Sequence, residues 1–100
     1  MSTPRPQIDR ARIADFCRRH RIRRLALFGS VLRDDFGPDS DLDILVEFDP
    51  GATPGFAFFA IERELSALLE WKVDLNTQGF LSRHFREHVL LEAQDLYVAA

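Results

Sequence analysis

From Asp41 to Phe48 apolar and polar residues alternate with a period of two. Leu42, Ile44, Val46 and Phe48 fall on one face; Asp41, Asp43, Leu45 and Glu47 fall on the other. That period belongs to a β-strand with one core-facing side, because helical neighbours recur at three and four residues. The outer face carries two carboxylates two residues apart, so both project from the same side of a sheet. Like charges so placed repel unless a cation sits between them. Oxygen-only ligation of that kind suits Mg2+, which also binds substrate phosphates.

Around this strand the chain reads as a short series of elements. Residues 8–21 predict a helix, with Ile13, Phe16, Cys17 and His20 at helical spacing and Asp9 as N-cap or first-turn acid. Leu25-Ala26-Leu27-Phe28 is an apolar run that stops at Gly29-Ser30, the pattern of a buried strand. Gly37-Pro38-Asp39-Ser40 is a turn, and residues 50–55 form a second loop rich in proline and glycine. Residues 56–69 predict an amphipathic helix with Phe58, Ile61, Leu65 and Leu68 inside. Trp71 to Leu75 predicts a third strand, with Val73 and Leu75 inward and Lys72 and Asp74 opposite, and helix is expected from Phe80 onward. Three strands among helices give an α/β (α+β) class, and the short link between the first two strands makes the sheet at least partly antiparallel.

Length and composition narrow the possible partners. One hundred residues, 46% hydrophobic and 29% charged, suit one globular domain spanning 1–100 rather than a disordered chain. No apolar run approaches the roughly 20 residues that cross a bilayer, and the N-terminus, with Pro4 and Pro6 among charged residues, does not read as a secretory signal. A single cysteine, Cys17, excludes an internal disulfide or a cysteine zinc cluster and is expected in the core; the expected compartment is the cytoplasm. The net charge of −3 is unevenly spread: residues 1–30 carry eight arginines against Asp9 and Asp15, whereas residues 31–100 carry five basic and fourteen acidic residues. The basic third is either a solvated helix face or a meeting point for phosphates or an acidic surface, and the negative total argues against direct nucleic-acid binding.

The chemistry concentrates between residues 29 and 43. A strand ending in Gly29-Ser30 and entering a helical turn offers backbone N–H groups and a hydroxyl to an anion, and glycine allows phosphate close to the backbone. Asp74 stands inside an apolar strand, where an acid is costly without a partner. If that strand lies beside Asp41 and Asp43, three carboxylates converge where two metals could sit roughly 3.5–4 Å apart. Such a site activates an attacking hydroxyl and stabilises departing pyrophosphate, which is nucleotidyl transfer. His84 and His88 stand at i and i+4 but lack a third ligand and are expected to be surface or packing residues. Phe56, Phe58 and Phe59 are expected in the core or at a partner interface.

Gly-Ser, ten residues, then Asp-x-Asp resembles the signature of the DNA polymerase β-like nucleotidyltransferase superfamily. Ala26 to Ser30, Arg33 and Pro38 to Val46 resemble more narrowly its minimal nucleotidyltransferase branch, over essentially the whole chain. The resemblance implies the polymerase β-like fold, a small mixed sheet flanked by helices. It implies that Gly29 and Ser30 hold the β- and γ-phosphates of ATP, that Arg33 contacts nucleotide or partner, and that Asp41 and Asp43 bind two Mg2+ ions. Asp74 would complete the metal site and act as or assist the general base. Leu32 and Asp34 depart from the family pattern, which often has a small residue and a glycine there. Members of this branch are antitoxins paired with a HEPN-domain ribonuclease toxin, to a tyrosine of which they transfer AMP. A chain of this length leaves no room for a domain that grips an acceptor, so a hetero-oligomer with the toxin is expected. The rival expectations are a non-catalytic antitoxin acting by occlusion and a nucleotidyltransferase for a small molecule.

Overall fold

The computed structural model describes residues 6–52, 54–81 and 83–99, with the side chains of residues 80 and 84 outside that description, so the His84 expectation lies beyond it. Helix α1 (Arg10–Arg19) leads into strand β1 (Ile22–Phe28) and a single 3-10 turn, Gly29–Leu32. Strand β2 (Leu42–Phe48), helix α2 (Ala57–Leu69) and strand β3 (Val73–Asn76) follow. A second 3-10 turn, Gln78–Phe80, then precedes helix α3 (Arg83–Glu92) and strand β4 (Gln94–Val98). The strands form one mixed sheet in the order β3-β2-β1-β4, with β1 antiparallel to β2 and β4 and β2 parallel to β3.

Helices α1 and α2 lay apolar stripes on one face of the sheet. Ile13, Phe16 and Cys17 of α1 and Ile61, Leu65 and Leu69 of α2 bury against Leu25, Leu42, Ile44 and Val46. Asp9 caps α1 as expected, its Oδ1 accepting from Arg12 N at 3.2 Å. The arginines of the first third are partly absorbed by nearby acids. Arg19 reaches Asp15 and Glu64, while Arg24 reaches Glu47 and Asp95. Arg10 donates to the Asp95 and Leu96 carbonyls, joining α1 to β4.

Two expectations are corrected. Helix does not run to the end of the chain: it stops at Glu92, and Gln94–Val98 pair with β1 as a fourth strand. The open edge of β1 supplies hydrogen bonds that five residues cannot make alone, and a bulge between Leu25 and Ala26 lets Leu96 turn into the core. Nor does β2 have only one core-facing side. Leu45 is 1% exposed on the carboxylate face, in a second cluster with Phe28, Leu81 and Val89. The segment carrying α3 thus covers that face of the sheet around Leu45.

The edge strand β3 is held by α2. Val73 N donates to Ser66 Oγ at 3.0 Å and Leu75 N to Glu62 Oε2 at 2.8 Å. Residues four apart on one helix face thereby cap alternate outward N–H groups of a strand that has no further neighbour. Glu62→Ala should cost about 1.5–3 kcal/mol, the scale of a hydrogen bond to a charged acceptor. Its signature is faster hydrogen exchange at the Leu75 amide with the β1–β2 amides unchanged; uniform exchange across the sheet would refute the local role.

Candidate active site

Asp43 is the centre of the site because its strand is paired on both sides. In the parallel β2–β3 ladder Asp43 stands directly opposite Asp74, and in the antiparallel β1–β2 ladder it stands opposite Phe28. Parallel register aligns side chains on the same face, so the two carboxylates lie side by side. Asp41, two residues before Asp43, extends the same row. The structure therefore joins the three acids that the sequence singles out.

On the β1 side Gly29 closes against Asp43. A Cβ built on Gly29 would fall into the Asp43 carboxylate at Oδ2 and approach Cγ to 3.3 Å. Gly29 also has φ +77°, a left-handed conformation that side chains resist. Glycine is required twice here, by the turn and by the carboxylate it touches. Ser30 lies in the 3-10 turn, which Arg33 N closes onto Ser30 O at 2.9 Å. A four-residue turn sums few peptide dipoles, so an anion placed here would meet individual N–H groups and the Ser30 hydroxyl more than a helix macrodipole.

The loop that delivers Asp41 is pinned at several points. Ser40 N donates to Gly37 O at 3.0 Å, Gly37 N to Ser40 Oγ at 3.1 Å, and Trp71 Nε1 to Ser40 O at 2.8 Å. The Trp71 ring stacks on Phe36 at 5.2 Å. At the start of β3, Leu42 N donates to Lys72 O, and the Lys72 ammonium lies 3.8 Å from Asp41 Oδ1. Beside Asp41 a cleft of about 410 Å3 opens between the 38–41 loop and Glu70–Lys72.

Electrostatics mark Asp43 as the strained member. Burial first, then the Asp74 and Asp41 carboxylates, push its pKa from 3.8 up to about 6. Like-charge crowding of hard oxygen donors is the condition that a divalent cation relieves, so the donor chemistry fits Mg2+. Among the described residues, no group of three or more His, Cys, Asp and Glu side chains is gathered closely enough to hold a metal ion. The acids are thus neighbours on adjacent strands, close enough to feel one another without forming a closed cage.

Arg33 points elsewhere than toward the acids. Its Nη2 lies 3.7 Å from Glu92 Oε2, and Glu92 Oε1 meets His88 Nε2 at 3.1 Å. This link ties the Gly29–Arg33 segment to α3. Sequence reasoning missed it because Arg33 and Glu92 are far apart in the chain. It also missed Lys72 beside Asp41, although Lys72 shares a face with Asp74 by simple alternation.

Because Asp43 titrates higher when folded, its ionisation opposes folding. The penalty is absent below the unfolded value near 3.8 and complete above about 6. Asp43→Asn should therefore raise Tm by about 5 °C at pH 7.5 without added divalent cation, with the gain shrinking as pH falls from 6 toward 4. Melting curves across that range check it; a gain that grows toward acid pH would contradict the assignment.

Comparison with known proteins agrees with this geometry. The nucleotidyltransferase domain family matches residues 10–96. The protein adenylyltransferase MntA of Thermococcus cleftensis is 38% identical over 72 residues, which span 71% of this chain and 71% of that protein. The solved structure of a minimal nucleotidyltransferase superposes with a TM-score of 0.71 at 38% identity, over 85% of this chain and 86% of that one. A chain from the complex of tri-AMPylated Shewanella oneidensis HEPN toxin with MNT antitoxin shares the fold. It superposes with a TM-score of 0.63 at 21% identity, over 90% of this chain and 70% of its own length. The family match begins with α1 and ends inside β4, taking in the whole sheet that carries the three acids, and the chain belongs to the nucleotidyltransferase domain family.

Proposed function

We propose that this nucleotidyltransferase transfers AMP from ATP to a tyrosine hydroxyl of a HEPN toxin, and so acts as the antitoxin of a pair in the cytoplasm. The observation that carries the reading is the row formed by Gly29 in the turn that follows β1, Asp43 on β2 and Asp74 on β3. A row of that kind separates the leaving-group side, at the turn, from the acceptor side, at β3. In-line displacement at phosphorus needs attacking and leaving oxygens on opposite sides.

In this reading Gly29 N–H and the Ser30 hydroxyl hold the β- and γ-phosphates, and Arg33 supports that segment through Glu92. The acceptor hydroxyl approaches on the β3 side, past the cleft between the 38–41 loop and Glu70–Lys72 that leads into β3. Its oxygen forms a bond to the α-phosphorus while the bond to the bridging oxygen breaks. Pyrophosphate departs on the Gly29–Ser30 side, and Asp74 takes the hydroxyl proton. Asp41, Asp43 and Asp74 would hold Mg2+, whose charge, when bound, offsets that of the phosphates. Support for a protein acceptor comes from the names of the relatives: one is a protein adenylyltransferase, and one antitoxin of this fold is complexed with an AMPylated HEPN toxin. Exposed apolar side chains on the start of α2, with Phe56 at 94% and Phe59 at 58%, suit a chain that works against a protein partner.

The test is label transfer from α-32P-ATP with Mg2+ to a HEPN partner, comparing wild type with the double variant Asp41→Ala/Asp43→Ala. Label on the partner with wild type and none with the variant is expected. Tight binding of the partner by both proteins, with no label on any protein, would replace this reading with neutralisation by occlusion.

A further inference from the structure

We propose that Glu62 of α2 is a positioning residue for Asp74, holding it where an acceptor hydroxyl can pass its proton; the inference rests on the nucleotidyl-transfer reading above. In that reading Asp74 takes the proton, and a general base must come within about 2.6–3.2 Å of the oxygen that gives it up. Asp74 sits on the least supported strand of the site. β3 has four residues, Val73–Asn76, and lies at the edge of the sheet with β2 as its strand neighbour. So short an edge strand is free to fray or slide unless something holds its outer side.

The backbone around Asp74 alternates between two supports. Leu42 N donates to Lys72 O at 2.8 Å, so position 72 faces β2, and by the period of two Asp74 faces β2 as well. Val73 and Leu75 turn outward, and both of their N–H groups end on α2. Val73 N donates to Ser66 Oγ at 3.0 Å and Leu75 N to Glu62 Oε2 at 2.8 Å. The residue on each side of Asp74 is therefore fastened to the helix, while Asp74 itself stands in register with Asp43. Ser66 Oγ also donates to Glu62 O at 2.9 Å, which joins the two helix residues in one clamp.

Glu62 gives its carboxylate to this contact. The residue is half-buried, and among the described residues its side chain forms no ion pair; its hydrogen bond is the one from Leu75 N. Glu64, two residues on, instead turns to α1 and meets Arg19 and His20. An ionised acceptor grips an amide more tightly than a neutral one. Without it, the N–H of a residue only 3% exposed loses its partner, and β3 must shift to bring that group to water. Asp74, one residue away, moves with the strand. A displacement of about 1 Å at a reacting group costs up to roughly 100-fold in rate, even when the altered residue touches no substrate.

Steady-state AMP transfer from ATP with Mg2+ to a HEPN partner tests this, using the full chain and its Glu62→Ala, Glu62→Gln and Asp9→Ala variants. Glu62→Ala should lower kcat by roughly 10- to 100-fold with the KM for ATP unchanged, because the clamp acts on the acceptor side alone. Glu62→Gln keeps an acceptor oxygen for Leu75 N and should restore most of kcat. Asp9→Ala removes the cap of α1, weakening the fold away from β3, and should keep the wild-type kcat. Should Glu62→Ala not fold, Ser66→Ala is read in the same way through Val73 N. Unchanged kcat in Glu62→Ala, a loss as large in Glu62→Gln, or an equal loss in Asp9→Ala overturns the positioning role while leaving nucleotidyl transfer intact. Wild type that transfers no AMP overturns the positioning role and the nucleotidyl-transfer reading together.

Discussion

Two carboxylates forced side by side in one ladder organise this molecule. Asp43 and Asp74 occupy partnered positions on β2 and β3, and Asp41 continues the row. Left to themselves these groups would move apart, and burial first, then the neighbouring Asp74 and Asp41 carboxylates, push the Asp43 pKa up to about 6. Keeping them together requires a strand that cannot shift, and β2 is paired on both sides with its other face sealed by α1 and α2. It also requires an edge strand that cannot fray, which Glu62 and Ser66 supply from α2. The surrounding fold thus stabilises an arrangement that is locally unfavourable, as sites built for charged ligands commonly are.

The same logic explains the glycine. Asp43 fills the space that any side chain at position 29 would need, so the Gly29–Ser30 turn and the carboxylate row are in contact rather than merely near each other. Trp71 and the 37–40 turn do for Asp41 what α2 does for Asp74, fixing a loop at its last residue before the strand. α3 completes the frame from above. It buries Leu45 beside the acids and anchors the turn through Arg33 and Glu92.

Much of this was legible in the sequence where local pattern and tertiary need agree. The alternation from Asp41 to Phe48 gave both the strand and the common face of two acids, and Val73 and Leu75 flanking Asp74 placed the third. What escaped depended on distant parts of the chain. Gln94–Val98 has a weak strand pattern, and its pairing is set by the free edge of β1 some seventy residues earlier. Leu45 looked like an apolar residue on a solvated face because nothing in β2 announces that α3 will cover it. The arginines of the first third are read in sequence only as charge. In the fold, Arg19 and Arg24 find acids and Arg10 finds carbonyls, and exposed pairs of this sort neutralise charge while adding little stability.

The central claim is that Asp41, Asp43 and Asp74 act together as one cation site. Titration of the isolated chain with Mn2+ at pH 7.5, followed by electron paramagnetic resonance, addresses it without nucleotide or partner. The account predicts saturable binding in wild type that is lost in Asp43→Asn and, separately, in Asp74→Asn, with both variants folded. Mn2+ affinity equal to wild type in either variant would show that the acids do not form a common site.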